Sequence, residues 1–369
     1  MKRYVPFSPL VHFVALVARN KGIPLKKVTH AIPWIIKITI LEPFRWIELL
    51  MHERKIIKHH LNEDPVFIIG HYRSGTTYLQ RLFMQCDGLG YMSIFQSALP
   101  EIMLLFEKWF TPVLQRFSSF FRIKNNFHRM PFEWNFPGED DVGHAALLNK
   151  NSAQWGMLFP EQFFFYFNKY IFFDGITEKE RNDWITSYRY LLKKISIANH
   201  GRQLILKSPP NTARIRLLLE LFPDARFIFI HRNPFDVYAS SELFWKVVLN
   251  NYALGKNKSH TIRELIELQY EKMMESYLSQ KQLIPEGRII EITYDSLIKE
   301  PMNTMQNIFA ALELKGFSKY EKAITDFVTL ENNHQKLEHT LTDEQKKFIS
   351  KRWRKYFDEW NYEISLQHA

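Results

Sequence analysis

Cysteine is nearly missing from this chain. Cys86 is the one residue of its kind among 369, which excludes an internal disulfide and makes a reducing compartment, the cytoplasm, the expected setting. No run of eighteen apolar residues occurs, so no helix is expected to cross a bilayer. Histidine and cysteine are not clustered at metal-ligand spacings, so no metal is expected. Repeats and low-complexity tracts are also lacking, which excludes a solenoid. Excess positive charge is confined to one end: residues 1–60 hold eleven Lys and Arg against three Asp and Glu, +8 of the formal +10. The remainder is close to neutral, without the basic face that nucleic-acid binding needs. What the chain does have is apolar material, 46% of its residues, enough to bury the core of one large α/β domain plus an appendage.

Residues 66–80 read Val-Phe-Ile-Ile-Gly-His-Tyr-Arg-Ser-Gly-Thr-Thr-Tyr-Leu-Gln, which predicts a strand, a glycine-bearing loop and the start of a helix. Gly70 and Gly75 stand at Walker A spacing, but Thr76 and Thr77 follow where an NTPase has Lys and Ser or Thr. The group that reaches a γ-phosphate is therefore missing. Backbone N–H groups, hydroxyls and the positive end of a helix remain, enough to hold a 5′-phosphate-type anion, with Arg73 adding fixed charge. Glycine and threonine at such a turn can also be plain capping chemistry, so the companions of this motif matter. A second strand, 203–206, ends in Lys207-Ser208-Pro209, and a third, 227–230, runs into His231-Arg232-Asn233-Pro234 and, further on, Ser240. Ligands of open α/β sheets bind at the carboxyl ends of strands, and Arg73, Lys207 and Arg232 all sit at such ends.

With these motifs in order, the chain resembles the sulfotransferases that use 3′-phosphoadenosine 5′-phosphosulfate (PAPS), over roughly residues 64–320. Their R/K-x-G-T-T loop matches Arg73, Ser74, Gly75, Thr76 and Thr77. Their 3′-phosphate site, an Arg followed eight residues later by a Ser, matches Arg232 and Ser240. Their later Y-[DE]-x-L and acidic-Pro pair match Tyr294-Asp295-Ser296-Leu297 and Glu300-Pro301. The resemblance implies a P-loop-type parallel sheet flanked by helices and PAPS as co-substrate, with no Mg²⁺. It implies that Lys207 and the Arg73 loop stabilise charge on the sulfuryl oxygens and the departing phosphate. Tyr78, where relatives often carry a stacking Trp, and Tyr294 are the candidates for contact with adenine. A late basic segment closes the 3′-phosphate site in some sulfotransferases; Lys351-Arg352-Trp353-Arg354-Lys355-Tyr356 is the candidate here, and a solvated helix face is the other reading.

The base departs from the best-known pattern of that family, because the position two residues after Lys207, a histidine in cytosolic sulfotransferases, is Pro209. Another branch carries P-x-E-D-E, and Pro137-Gly138-Glu139-Asp140-Asp141 matches all but its last letter. This nominates Glu139, with Asp140 and Asp141 as alternates and His144, Glu101 and His71 further out. Carboxylates before Ala145-Ala146-Leu147 are also what the first turn of a helix favours.

Two parts are expected: a helical, basic and aromatic N-terminal segment, 1–60, and a sulfotransferase domain, 61–369, with a helical insertion over about 90–200. Residues 10–18 follow Lys2 and Arg3 and superficially copy a signal peptide, but no convincing cleavage site follows. Residues 31–50 are apolar yet interrupted by Lys37, Glu42 and Arg45, with Pro33 and Pro43 expected to break them. They suit an interfacial element on the inner face of a membrane, or plain packing on the core. The insertion carries Phe95, Phe106, Trp109, Phe110, Phe117, Phe120, Phe121, Phe127, Phe132, Trp134, Phe136 and the run 163–166, expected to be mostly core. Their density favours a hydrophobic alcohol, such as a sterol or lipid hydroxyl, over a carbohydrate, with a protein tyrosine also open. A P-loop nucleotide kinase would need the missing lysine. A noncatalytic membrane-associated nucleotide-binding protein would leave the aligned anion motifs without a purpose.

Overall fold

Four consecutive apolar residues, Val66–Ile69, form strand β1 and are buried on every side, as a strand covered on both faces requires. The computed structural model describes residues 9–121, 132–147, 151–256, 260–331 and 341–364. In chain order the helices are α1 (Pro9–Arg19), α2 (Val28–Lys58), α3 (Thr76–Met84), α4 (Ile94–Ala98), α5 (Met103–Phe120), α6 (Asp140–Ala146), α7 (Trp155–Leu158), α8 (Phe163–Ile171) and α9 (Glu178–Ala198). There follow α10 (Ile215–Leu221), α11 (Pro234–Asn251), α12 (Ile262–Gln280), α13 (Tyr294–Lys299), α14 (Pro301–Ala311), α15 (Phe317–Glu331), α16 (Asp343–Arg352) and α17 (Arg354–Glu359). The remaining strands are β2 (Gly90–Tyr91), β3 (Leu204–Lys207), β4 (Arg226–His231) and β5 (Ile289–Thr293).

The chain divides into two compact units. One comprises residues 66–87, 209–246 and 261–369 and contains β1, β4 and β5, paired in parallel with Phe67 beside Phe227 and Phe227 beside Ile289. Its strands feed helices, as the strand-helix-strand pattern predicts for a parallel sheet. The other unit comprises residues 1–65, 88–208 and 247–260 and holds the parallel pair β2–β3, with Gly90 beside Leu204. The α/β class with parallel strand pairing is therefore as expected. Strand β2 was not expected: two residues carry no alternation to read, and its partner β3 lies far along the chain.

Helix α2 corrects a second expectation. Pro33 and Pro43 lie inside an unbroken helix of 31 residues. Each proline forfeits one backbone hydrogen bond, and the packing of α2 on α1, α5 and α9 holds the helix through both. Its inward side mixes apolar Ala31, Ile38 and Ile56 with Arg45 and Glu48. Glu48, 1% exposed, accepts the backbone N–H groups of Leu104 and Leu105 and so caps α5, whose own N-cap Ile102 offers no side-chain bond. Lys194 of α9 reaches the other oxygen of Glu48 at 2.5 Å. Burial pushes the Glu48 carboxyl upward, opposed by the Lys194 ammonium.

The aromatic insertion is split. Phe95, Phe163 and Tyr166 are core, whereas Trp109, Phe117, Phe120 and Phe121 are exposed on or beside α5, contrary to expectation. Phe127, Lys2 and Arg3 lie outside the described residues.

Candidate active site

The loop between β1 and α3 is built around two glycines that no larger residue can replace. Gly70 has φ +148°, and a Cβ there would lie 2.3 Å from the carbonyl oxygen of Ile230 on β4. Its N–H donates to Thr212 Oγ1 at 2.8 Å, and that hydroxyl donates back to the Gly70 carbonyl at 3.0 Å. Gly75 has φ +101°, and its Cβ would lie 2.4 Å from the ring of Tyr294. Between them Arg73 adopts φ +71°, a left-handed conformation that costs a non-glycine residue energy and tends to mark sites of function. Ser74 Oγ donates to the His71 carbonyl at 2.7 Å and closes the turn. Thr76 and Thr77 then open α3, so the first-turn N–H groups point out of its N-terminus toward any anion held by the loop.

Arg73 connects this loop to the second motif. Its Nε donates to Ser240 Oγ at 2.9 Å, across 167 residues of chain. Ser240 is buried two turns into α11, whose start is set by Pro234 and by Asn233 Oδ1 accepting the Phe235 N–H at 3.0 Å. Arg232 donates from Nη1 to the Arg73 carbonyl at 3.5 Å. Its guanidinium lies 4.4 Å from the centre of the Tyr294 ring, and Nη2 is 3.0 Å from Asp236 Oδ2. Arg73, Ser240, Arg232 and Tyr294 thus form one cluster at the carboxyl ends of β1, β4 and β5. Two guanidinium groups, a hydroxyl and a helix N-terminus can hold two phosphate-type anions side by side. Tyr78, half-buried, packs on Phe327 at 6.2 Å in the same unit.

In the other unit, β3 ends in Lys207. Its Nζ lies 2.6 Å from Glu139 Oε1, the lysine side chain 3% exposed and the glutamate 26%. Glu139 occupies the N-cap position of α6 but makes no side-chain cap bond. Its carboxylate is spent on Lys207 instead of on the helix, and one side of it stays open to a reactant.

The other carboxylates and histidines named as bases are committed elsewhere. Asp140 is buried and accepts the Tyr188 hydroxyl at 2.7 Å. Asp141 accepts Gln154 Nε2 at 2.9 Å and donates its backbone N–H to Ser208 Oγ at 2.9 Å. His144 is buried against Trp184 and Tyr188, with Nε2 2.6 Å from Ser187 Oγ. Glu101 is buried 3.9 Å from Lys37. His71 is buried edge-on to Tyr270, with Nδ1 donating to the Tyr72 carbonyl at 2.8 Å, and burial pulls its pKa down to about 4.

The late basic segment serves the fold. Arg352 pairs with Glu271 and Glu267 of α12, Lys355 with Glu275, and Arg354 with Asp358, while Trp353 stacks on Tyr270 at 4.0 Å. Among the described residues no group of three or more His, Cys, Asp or Glu is placed to hold a metal ion.

Two contributors were not read from the sequence. Thr212 clamps Gly70 and lies behind two prolines in a 3₁₀ turn, where nothing marks it. Asp236 pairs with Arg232 at i,i+4, a spacing that could have revealed it.

A model of the sulfotransferase family matches residues 65–319. The ω-hydroxy-β-dihydromenaquinone-9 sulfotransferase Stf3 of Mycobacterium bovis, and its counterpart in Mycobacterium tuberculosis, are 24% identical to this chain over 310 residues, 84% of this chain and 78% of the relative. Among solved structures, sulfotransferase STF9 from Mycobacterium avium superposes with a TM-score of 0.67 at 17% identity, covering 89% of this chain and 83% of that one. STF1 from Mycobacterium tuberculosis H37Rv gives 0.66 at 14%, covering 94% and 90%. These two likenesses establish the fold.

Proposed function

Because the chain belongs to the sulfotransferase family, we propose that it moves a sulfuryl group from PAPS to the hydroxyl of a hydrophobic alcohol, at the cytoplasmic side of a membrane. The observation that carries the donor assignment is the 2.9 Å contact between Arg73 and Ser240, which joins the loop suited to a 5′-phosphate to the Arg232–Ser240 pair suited to a 3′-phosphate. A nucleotide with anions at both positions satisfies both halves. A nucleotide kinase has no use for the second and lacks the lysine for its own γ-phosphate.

In the proposed reaction the acceptor oxygen forms a bond to sulfur as the bond from sulfur to the 5′-phosphate oxygen breaks. The electron pair leaves on that phosphate, giving a sulfate ester and adenosine 3′,5′-bisphosphate. The acceptor proton passes to the open side of the Glu139 carboxylate, which Lys207 orients. Lys207 and Arg73 offset negative charge on the sulfuryl oxygens and the leaving phosphate, while Arg232 and Ser240 hold the 3′-phosphate. Adenine rests against Tyr78 or Tyr294. Stf3 is named for a hydroxylated menaquinone, and that name supports a lipid hydroxyl as acceptor here.

Titration calorimetry with adenosine 3′,5′-bisphosphate tests the donor site: the parent should bind and Arg232→Ala should bind far more weakly, whereas no affinity at millimolar concentration ends the reading. Incubation with PAPS and a panel of prenyl alcohols, sterols, tyrosine peptides and sugars, with mass detection of the added sulfuryl group, tests the acceptor. Modification of the sugar or the tyrosine peptide alone would replace the hydrophobic alcohol.

A further inference from the structure

Helix α2 turns much of its apolar surface outward. Val28, Ile32, Ile36, Ile40, Ile47 and Leu50 are all exposed, Leu50 to 85%, and they recur at the spacing that puts them along one stripe of the helix. The buried side of the same helix carries Arg45 and Glu48 beside Ala31, Ile38 and Ile56. The orientation is fixed: Glu48 is tied to Lys194 and to the N-terminus of α5, and Arg45 to Glu42 at 2.7 Å, so turning the apolar stripe inward would strand these groups. An exposed apolar stripe of this length, about 33 Å from Val28 to Leu50 at 1.5 Å per residue, is an interaction surface rather than scattered surface leucines.

Charge identifies the occupant. Exposed Lys26 precedes the stripe, and exposed Arg54, Lys55 and Lys58 follow it. Cations at both ends of an apolar stripe match the anionic headgroups and acyl boundary of a lipid surface. A second copy of α2 fits poorly, since antiparallel pairing sets one basic end against the other and parallel pairing sets like ends together. No described helix is long and apolar enough to cross a membrane, so α2 lies along the surface. Packed against it in the same unit, α5 exposes Trp109 and Phe117, aromatic residues suited to the membrane interface.

We propose that the outer face of α2 seats the protein on the surface of an anionic lipid bilayer. This is independent of the sulfuryl-transfer reading and is tested separately from it. The full chain is floated with vesicles of phosphatidylcholine alone and of phosphatidylcholine with about 30% phosphatidylserine, in low and high salt. Binding to the anionic vesicles should exceed binding to the neutral ones about tenfold and weaken with salt. The variant Ile36→Glu/Ile40→Glu/Leu50→Glu should lose binding to both. Lys26→Gln/Arg54→Gln/Lys55→Gln/Lys58→Gln should lose the preference for anionic lipid. Calorimetry with adenosine 3′,5′-bisphosphate reports whether each variant keeps its fold, because none of these residues lies in the nucleotide cluster. Absence of vesicle binding by the parent, or unchanged binding by a variant that still takes the nucleotide, overturns the proposal. So does a dimer in light scattering that the triple glutamate variant converts to monomer without any vesicle binding. If vesicles bind and the nucleotide does not, the membrane inference stands and the donor assignment falls.

Discussion

Two strands of this fold end in cations that live under opposite conditions. Lys207, at the carboxyl end of β3, is almost fully buried against Glu139, whereas Arg232, just past β4, keeps part of its guanidinium in water and pairs with the half-exposed Asp236. A buried pair is costly to break and holds its geometry, which suits groups that act on a reacting bond. An exposed pair is worth little, and an incoming phosphate displaces its carboxylate cheaply. On the proposed assignment the first arrangement serves chemistry and the second exchange.

The sharpest way to break this contrast is Glu139→Gln, which keeps a hydrogen-bond acceptor for Lys207 but cannot take a proton. The turnover number should fall by about 10²–10⁴ with donor affinity nearly unchanged. Unchanged turnover in steady-state assays would make Glu139 a structural partner of Lys207 and nothing more. Lys207→Met should lower turnover by about 10²–10³, again with the nucleotide still bound in calorimetry. Arg232→Ala should do the reverse, weakening adenosine 3′,5′-bisphosphate by roughly 10- to 100-fold, from the 1.5–3 kcal/mol of a charged hydrogen bond. Equal losses in turnover and affinity for both variants would erase the division of labour.

The exchange side also carries a pH signature. Burial holds His71 neutral, its pKa drawn from 6.5 to about 4, so between those values the unfolded chain takes up a proton that the folded chain refuses. Stability from this group is complete above pH 6.5 and is lost as the pH falls toward 4, at up to about 1.4 kcal/mol per pH unit. His231, held near the same value by burial, adds a second slope of the same sign. Chemical denaturation across pH 4–7 should show the decline, and His71→Asn, which can keep the bond to the Tyr72 carbonyl, should make it shallower. The smallest effect belongs to Asp236→Asn. Removing the competing carboxylate should tighten the bisphosphate by about twofold, with stability changed by no more than about 0.5 kcal/mol.

The strand-loop-helix around Gly70 and Gly75 was legible because four apolar residues, two glycines and a helix start fall within fifteen positions. The Arg232–Ser240 spacing was legible for the same reason. Contacts between distant segments were not. Glu139 meets Lys207 across 68 residues and Arg73 meets Ser240 across 167, and only the resemblance to a family put these residues on one list. Helix α2 illustrates a different limit: apolar residues lie on both its buried and its exposed sides, and a helical wheel cannot say which of them face in. That choice was made by Glu48, whose partners on α5 and α9 no local pattern announces. Pro33 and Pro43 misled because their cost is local and the packing that outweighs it is not.

The Arg232–Asp236 pair has a consequence for the catalytic cycle. On the proposed assignment, PAPS and the spent bisphosphate carry the same 3′-phosphate, so a grip on that group cannot tell fuel from ash, and inhibition by the spent nucleotide is built into such a site. Asp236, paired with Arg232, would then offer it a resident anion to return to at every departure, lowering the barrier to emptying the site and keeping the cycle from stalling on its own by-product.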